Sequence, residues 1–224
     1  MSSIKPIKLY GHGGPNPIKV LVILEELGIP YEVEEVPFAE VKGDYFTAIN
    51  PNGRLPAIDD PNTGLRLWES GPIVEYLMEK YDTGRKLSFE PDSDEYWHAR
   101  QYMAFQISGQ GPYFGNAVFF TKYAQPPNKE ATARFVKEIL RVHGVIERVL
   151  GDEKKKNPSG DGPWLIGNKL SYADLAFSVW SGMLVKMWPA DELKMDEYPL
   201  TKGWLDRMMA RKSWVDTLAK HGPK

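Results

Sequence analysis

The stretch IKLYGHGGPNPIKVLVILEELGIPYEVEEV, residues 7–36, decides the fold of this chain. Ile7–Tyr10 predicts a short strand, and Lys19–Leu27 carries apolar residues at helical spacing. Gly28 stands where a left-handed residue closes a helix, and Tyr31–Val36 predicts a second strand. The order strand, helix, strand implies a right-handed crossover between two parallel strands.

A second pair of strands follows in the next thirty or so residues. Ala57–Asp59 and Leu65–Trp68 are joined by DPNTG, whose Pro, Asn and Gly suit a hairpin turn. A helix comes next, with Ser70 predicted as its N-cap and Pro72 in its first turn. The apolar stripe of that helix consists of Ile73, Val74, Leu77 and Tyr81. The first part is therefore a βαβ unit followed by a ββα unit.

The character of the sequence changes near residue 92, because strand patterns end there. Asn128–Leu150 and Tyr172–Trp188 have the length and period of helices. The segment TGRKLSFEPDSDE, residues 83–95, is rich in turn and charged residues and has no period. We therefore predict an α/β domain over residues 1–83, a linker over 84–93 and an all-α domain over 94–224.

Composition excludes several classes of partner. With 28 basic and 30 acidic residues the formal net charge is −2, which gives no field to hold nucleic acid or an anionic membrane. We see no apolar stretch long enough to span a bilayer and no signal-peptide core in MSSIKPIKLY. The expectation is a cytoplasmic protein with neither a nucleic-acid nor a membrane partner.

The chain contains no cysteine, so it has no disulfide, no thiolate metal ligand and no cysteine nucleophile. Any sulfur chemistry must use a thiol supplied from outside. The four histidines, His12, His98, His143 and His221, show no ligand spacing, and we predict no metal.

Three loops should meet at one end of the first domain, beside strand ends and helix N-termini. The first is GHGGPNP, residues 11–17, where Asn16 and Pro17 are expected as the N-cap and first residue of a helix. An alternative role for Asn16 is to cap its own helix and nothing more. The second loop is NPNGRLPAID, residues 50–59, in which a cis Leu55–Pro56 bond would leave the Leu55 N–H and C=O for an extended peptide ligand.

The third loop is WESG, residues 68–71, at a helix N-terminus. Such a terminus favours anions, so the Ser70 hydroxyl and N–H suit a carboxylate while Glu69 suits an ammonium group. Together they match an α-amino acid. The alternative is simple capping by Ser70, with Glu69 serving the helix dipole.

Two further motifs belong to the helical part. Ser171 precedes Asp174 by three residues, which predicts a capping box ahead of an apolar helix and a structural role for both. In SGQGPYFGNA, residues 108–117, Gly109, Gly111 and Pro112 should loosen or kink their helix and let a neighbouring helix or ligand approach.

The motifs NPNGRLPAI, WESGPIVEYL and WLIGNKLSYADLAF resemble those of glutathione transferases in order and approximate spacing, across nearly the whole chain. GHGGPNPIKVLVILEELG and SGQGPYFGNA point to the fungal and bacterial class related to the yeast nitrogen catabolite regulator. The resemblance implies a thioredoxin-like domain that binds glutathione as cosubstrate, and a helical bundle that forms a pocket for a hydrophobic electrophile. It also implies a homodimer and a part in detoxification and stress response.

The resemblance assigns roles to the loop residues. It pairs the Leu55 backbone with the cysteinyl part of glutathione, places the γ-glutamyl end on Glu69 and Ser70, and gives Pro56 a structural role. Asn16 is the candidate donor to the thiolate, because Gly13 and Gly14 stand where many transferases have serine or tyrosine. For the glycine carboxylate we expect Lys42, with Arg54 as the second choice.

For the electrophile we expect aromatic walls from Tyr113, Phe114, Phe119 and Trp180, although ordinary core packing is an alternative for all four. Two other functions stay open. One is glutathione-dependent reduction of disulfides or peroxides on the same fold, and the other is a non-enzymatic regulatory protein.

Overall fold

The structure, a computed structural model, describes residues 4–223. The chain divides into two compact units, one running to Lys86 and resumed from Ala210 onward, the other spanning Leu87–Met209. The predicted fold class, a thioredoxin-like α/β unit and a helical unit, is confirmed. The predicted limits 1–83, 84–93 and 94–224 stay predictions. The structure adds that the last helix packs with the first unit.

The first unit is built around a four-stranded sheet in the order β2-β1-β3-β4. The pair β1 and β2 is parallel, whereas β3 runs antiparallel to both β1 and β4. Its elements are β1 (Ile7–Gly11), α1 (Pro15–Leu27), β2 (Tyr31–Glu35), α2 (Asp44–Thr47), β3 (Ala57–Asp60), β4 (Leu65–Trp68) and α3 (Ser70–Tyr81).

The strand register brings three chain segments to one edge of the sheet. Tyr10 near the end of β1 lies opposite Ala57 at the start of β3, and Ala57 lies opposite Trp68 at the end of β4. The residues that follow β1, precede β3 and follow β4 therefore emerge side by side. These are the three loops that the sequence predicts to meet.

Helix α1 is the central helix of this unit, and most of its side chains are buried. Gly28 ends it in the left-handed region at φ 67°, as its position predicts. The last helix, α10 (Lys212–His221), packs against α1. Arg211 Nε and Ser213 Oγ donate to the same Glu26 oxygen at 2.6 and 2.7 Å, so the buried Glu26 carboxylate is paired.

The second unit contains helices and two π-helical segments, and α6 extends six residues beyond the predicted Leu150. Its elements are α4 (Asp94–Phe105), a π-helical segment (Gln106–Gln110), α5 (Gly111–Val118), a second π-helical segment (Phe119–Tyr123), α6 (Lys129–Lys156), α7 (Tyr172–Met187), α8 (Ala190–Leu193), a short 3₁₀ helix (Met195–Glu197) and α9 (Pro199–Met209).

Asp174 organises the start of α7. Ser171 is the N-cap, and the two residues form a reciprocal capping box. The fully buried Asp174 carboxylate also accepts hydrogen bonds from the Leu165 N–H and from Trp204 Nε1, each at 2.9 Å. This carboxylate thus joins the WLIG segment, α7 and α9, which is the structural role that the motif predicts.

The predicted distortion near Pro112 takes the form of a π-helical segment over Gln106–Gln110. The two buried glutamines at its ends are hydrogen-bonded to each other at 3.0 Å, and Gln110 Nε2 donates to Ser181 Oγ at 3.0 Å. A polar network inside the helical unit therefore supports the wider turn.

Candidate functional site

Hydrogen bonds join two of the three loops and a neighbouring segment into one surface at the sheet edge. Lys42 Nζ donates to the Asn52 carbonyl at 2.8 Å, and Asn52 Nδ2 donates to Glu69 Oε1 at 3.1 Å. The predicted Lys42 therefore lies beside the second loop, and Asn52 connects that loop to the third. Arg54 is exposed in the same loop.

Asn50 holds the second loop in shape, a role that the sequence prediction missed. Its side chain is buried, donates from Nδ2 to the Arg54 carbonyl at 2.6 Å and accepts from the Asn52 N–H at 3.0 Å. Gly53 takes the left-handed conformation at φ 59°. The motif Asn-Pro-Asn-Gly carries a detectable signal, because Asx turns of this kind favour these residues.

Leu55 follows this turn, and the Leu55–Pro56 bond is cis, as the binding hypothesis requires. The Leu55 side chain packs against the buried cluster that includes Tyr10 and Phe46. Within residues 4–223, the Leu55 N–H and C=O enter no loop or turn hydrogen bond with another backbone group. The binding hypothesis assigns these two groups to an added extended strand.

The third loop differs by one residue from the prediction of Ser70 as the N-cap. Glu69 occupies the cap position, and its carbonyl already accepts the helical bond from the Ile73 N–H at 3.0 Å, so Ser70 is the first helical residue. No side chain caps this helix. The simple capping role for Ser70 is therefore wrong. Its hydroxyl lies buried at the helix N-terminus and makes no hydrogen bond to another described residue.

Glu69 adopts an unusual backbone conformation, with φ 70° and ψ 121°. A residue with a Cβ rarely occupies positive φ, and such strain costs on the order of 1–3 kcal/mol. Strained residues persist where the surrounding structure imposes them, and they cluster at ligand sites. The Glu69 side chain is exposed and held by Asn52, so the strain presents a carboxylate at the edge of the sheet.

Helix α1 begins two residues earlier than predicted, which moves Asn16 off the cap. Gly14 is the N-cap, Pro15 is the first helical residue, and the Ile18 N–H closes the turn on the Gly14 carbonyl at 3.1 Å. Pro15 suits the first helical position as well as Pro17 does, so the sequence did not distinguish the two. Asn16 is half-buried in the first turn, and the alternative that it merely caps this helix is wrong.

Position 13 has no room for a side chain. A Cβ built on Gly13 would lie 2.7–2.9 Å from main-chain atoms of Gly222 and Pro223. On the other side of the loop, the Gly14 N–H donates to His12 Nδ1 at 3.1 Å, and burial lowers the pKa of His12. The absence of serine or tyrosine at position 13 thus has a steric cause.

Tyr10 is buried on β1, and its hydroxyl donates to Asp59 Oδ2 at 2.8 Å. Burial and the Asp59 carboxylate raise the pKa of Tyr10 to about 12. This phenol is therefore occupied within the sheet, and Asn16 is left as the donor candidate in the first loop.

Lys19 is a residue that sequence reasoning missed. It is completely buried on α1, although a lysine in an amphipathic pattern usually marks the solvent face. Burial lowers the pKa of Lys19 to about 7, against the opposing effect of the Glu69 carboxylate. Helix α1 and the third loop thus share an electrostatic interaction.

The four residues predicted to line an electrophile pocket lie in different surroundings within the helical unit. Phe114 is completely buried, with its ring 5.8 Å from that of His143, so it belongs to the core in this structure. Phe119 is exposed and Tyr113 is half-buried beside Phe135. Trp180 packs along α5, and a Cβ on Gly115 would lie 3.4 Å from its ring.

A cavity of about 500 Å³ opens elsewhere in this unit. Apolar side chains and two lysines line it, among them Phe120, Val136, Leu140, Lys129 and Lys137. None of the four predicted aromatic residues is part of its lining. It is large enough for a small organic molecule.

Within residues 4–223, no three His, Cys, Asp or Glu side chains come together in a way that would hold a metal ion. None of the helices described there combines the length and apolarity that crossing a membrane requires.

Two family models match the chain: "Glutathione S-transferase, N-terminal domain" over residues 5–79 and "Glutathione S-transferase, C-terminal domain" over residues 114–217. The "Glutathione S-transferase-like protein gedE" of Aspergillus terreus is 52% identical over 212 residues, covering 94% of this chain and 93% of the relative. The "Transcriptional regulator URE2" of Saccharomyces cerevisiae is 30% identical over 239 residues, covering 94% of this chain and 67% of the relative.

A solved structure is similar over almost the full length. It is the glutathione transferase URE2P6 from Phanerochaete chrysosporium in complex with oxidized glutathione. The TM-score is 0.88 at 36% identity, and the match covers 99% of this chain and 98% of that one.

Proposed function

This chain belongs to the glutathione S-transferase family, and from that premise we propose that it conjugates glutathione to hydrophobic electrophiles. The observation that carries the proposal is the set of polar groups that three adjacent loops present at the sheet edge. The Leu55 main chain, the Ser70 hydroxyl and the Glu69 carboxylate lie on adjacent loops. An extended tripeptide with an amino-acid head group has groups that complement all three.

In the proposed complex, the Leu55 N–H and C=O pair with the cysteinyl residue as an added strand. The γ-glutamyl carboxylate binds the Ser70 hydroxyl and the N-terminus of α3, and its ammonium group binds Glu69. Lys42 receives the glycine carboxylate, since its ammonium group already lies beside the second loop. Arg54 is the alternative partner for that carboxylate.

This pose directs the sulfur toward the first turn of α1 and Asn16. A thiol of pKa about 8.5 is only a few per cent ionised at pH 7, and lowering its pKa by about two units requires roughly 3 kcal/mol. An amide donor and a helix N-terminus supply on the order of 1 to 2 kcal/mol each. The Asn16 amide and the N-terminus of α1 can therefore together supply the free energy that this shift in the thiol pKa requires.

Thiolate formation alone gives little acceleration, because nucleophilicity falls as pKa falls. The larger contribution is holding the electrophile next to the sulfur in a site from which water is excluded. We assign that task to the helical unit, with the accessible aromatic residues Tyr113, Phe119 and Trp180 as contacts. A homodimer is part of the proposal, and sedimentation velocity tests it.

Calorimetry with glutathione, paired with a chlorodinitrobenzene conjugation assay, tests this function. We expect binding and turnover in the wild type, and a drop in turnover with little change in affinity for Asn16→Ala. Asn116→Ala is the matched control, because Asn116 is exposed and bonded only to the Pro112 carbonyl of its own helix among the described residues. Turnover unchanged in Asn16→Ala removes Asn16 from the mechanism, and a folded chain without glutathione affinity refutes the function.

A second function is favoured by the oxidized glutathione in the URE2P6 structure. Here one glutathione thiolate attacks a disulfide and releases one thiol, and a second glutathione attacks the mixed disulfide to give oxidized glutathione and release the second thiol. The enzyme contributes no thiol, because the chain has no cysteine. Turnover of hydroxyethyl disulfide without conjugation of chlorodinitrobenzene would favour this reaction. Binding without either turnover would favour a regulatory role like that named for URE2.

A further inference from the structure

Asn52 lies between two charged side chains that the proposed complex assigns to opposite ends of the tripeptide. Its main-chain carbonyl accepts a hydrogen bond from Lys42 Nζ at 2.8 Å, and its side-chain Nδ2 donates to Glu69 Oε1 at 3.1 Å. In that complex Lys42 binds the glycine carboxylate, and Glu69 binds the γ-glutamyl ammonium group. One residue therefore contacts both of the groups that are to bind the charged ends of the ligand.

The main chain of Asn52 is itself held in place. Its N–H donates to Oδ1 of the buried Asn50 at 3.0 Å. The neighbouring turn residue is closely packed, because a Cβ built on Gly53 would lie 2.6 Å from the Val41 carbonyl oxygen and 2.9 Å from Lys42 Cδ. The Asn52 side chain thus extends from a fixed point of the second loop toward the third.

The Glu69 carboxylate is the group that gains most from such a contact, because its side chain is exposed. Within residues 4–223, Asn52 Nδ2 is its only hydrogen-bond donor. A glutamate side chain that must be ordered when a ligand binds lowers the affinity by about two- to tenfold. The Asn52 hydrogen bond orders the carboxylate before the ligand arrives and so removes part of that cost.

Both charged groups keep binding capacity beside their bonds to Asn52. A carboxylate has about four lone-pair sites, and Asn52 uses one of those on Glu69. A lysine ammonium group has three donors, and one of those on Lys42 is directed to the Asn52 carbonyl. The ligand can therefore bind the remaining sites while the contacts to Asn52 persist.

We propose that Asn52 is a positioning residue for the γ-glutamyl head group, whose side-chain amide holds the Glu69 carboxylate ready for the ligand ammonium group and so favours γ-glutamyl ligands over amine-free ones. This inference rests on the proposed function. Lys42 is bound by the main-chain carbonyl of Asn52, which every substitution keeps. Loss of the Asn52 side chain should therefore weaken the ammonium end of the ligand and spare the glycine end.

Three ligands separate the two ends in calorimetry, with displacement titrations for weak binding. They are glutathione, N-glutaryl-cysteinylglycine, which lacks only the α-amino group, and γ-glutamylcysteine, which lacks only the glycine. Asn52→Ala should weaken glutathione and γ-glutamylcysteine by the same factor of about two to ten. It should leave the affinity for N-glutaryl-cysteinylglycine unchanged, because that ligand has no ammonium group for Glu69.

Asn52→Asp separates positioning from charge. A second carboxylate attracts the ammonium group, but it repels Glu69 and cannot donate a hydrogen bond to it. Positioning therefore predicts weaker glutathione binding in this variant, whereas an effect of charge alone predicts tighter binding.

Asn62→Ala is the matched control. Asn62 is also exposed and also donates from Nδ2 to a carboxylate, that of Asp60, at 2.9 Å. It lies in the turn between β3 and β4, at the opposite end of these strands from the three loops. This variant should bind all three ligands as the wild type does, and thermal unfolding shows whether each variant is folded.

Two further measurements distinguish positioning from a general loss of loop structure. In the conjugation assay, Asn52→Ala should raise the KM for glutathione and leave kcat unchanged, because the head group is bound away from the sulfur. In a Glu69→Ala background, Asn52→Ala should cause no further loss of glutathione affinity, since the group that it positions is gone.

Equal losses for all three ligands, no loss in Asn52→Ala, tighter binding by Asn52→Asp, or a further loss in the Glu69→Ala background would each overturn the inference. A wild type that binds glutathione and N-glutaryl-cysteinylglycine equally well would also overturn it. In all these cases glutathione still binds. A folded wild type that binds none of the three ligands would instead refute the proposed function, so the two failures are distinguishable.

Discussion

The backbone strain at Glu69 gives a prediction in which stability and binding move in opposite directions. At φ 70° the backbone of a residue with a Cβ is strained by about 1–3 kcal/mol, and removing the Cβ should recover part of this energy as stability. Glycine loses about 0.4–1 kcal/mol through the greater freedom of the unfolded chain. Glu69→Gly should therefore be more stable than Glu69→Ala by about 0.5–2 kcal/mol, although both lose the same Asn52 hydrogen bond.

Thermal unfolding measures this difference, since 1 kcal/mol shifts the Tm of a chain of this size by about 2–4 °C. Both variants should bind glutathione roughly ten- to a hundredfold more weakly, because a hydrogen bond between charged groups contributes about 1.5–3 kcal/mol. Calorimetry with glutathione measures this loss of affinity. The more stable variant is thus expected to bind as poorly as the less stable one.

Ser93 provides the control, because it is also an N-cap but has an ordinary φ of −71°. Glycine is a better N-cap than alanine by itself, so Ser93→Gly and Ser93→Ala measure that preference without strain. If the Gly-to-Ala difference at position 69 is no larger than at position 93, the strain argument fails. If Glu69→Gly retains the wild-type affinity, the ammonium role of Glu69 fails.

Three other predictions concern stability. His143 is buried with neither ring nitrogen hydrogen-bonded within the described residues, and burial lowers its pKa to about 4. Because the unfolded state binds its proton near pH 6.5, His143 alone should lower the free energy of unfolding in urea by about 2 kcal/mol from pH 7 to 5. In His143→Phe the loss over this pH range should be smaller by that amount. Gly13→Ala should cost about 1–3 kcal/mol in the same assay, because its Cβ meets main-chain atoms, whereas Gly84→Ala, with open space around it, should cost almost nothing. Asp174→Asn should lower the free energy of unfolding by about 3 kcal/mol or more, since an amide cannot accept all four hydrogen bonds that the carboxylate accepts. A smaller loss would mean that this hydrogen-bond network contributes little to stability.

Local patterns predicted the first unit well, because its elements are defined by neighbouring residues. Gly28 ends α1 where a left-handed residue was expected, and Leu65–Trp68 forms the second hairpin strand. The family resemblance, drawn from loop motifs, is confirmed by both family matches. The start of α1 does not follow from the sequence alone, since Pro15 and Pro17 satisfy the same positional rule.

Contacts between distant residues account for what the sequence did not predict. The π-helical segment at Gln106–Gln110 depends on a hydrogen bond to Ser181, 71 residues away from Gln110. The packing of α10 on α1 depends on the pairing of Arg211 with Glu26, 185 residues apart. Lys19 stands in a pattern that predicts exposure, and its burial depends on the elements that pack on α1, among them α3 and α10.

The first turn of α1 concentrates its electrostatic effect on one residue. A helix N-terminus attracts an anion through main-chain N–H groups, but Pro15 and Pro17 have none. Asn16 therefore provides the main-chain N–H of this turn as well as the side-chain amide, and position 13 has no room for a competing side chain. Asn16→Ala removes the amide and keeps the N–H, so the thiol of bound glutathione should retain part of its lowered pKa. A thiolate absorbance titration that gives the same pKa for bound and free glutathione in the wild type would refute this assignment.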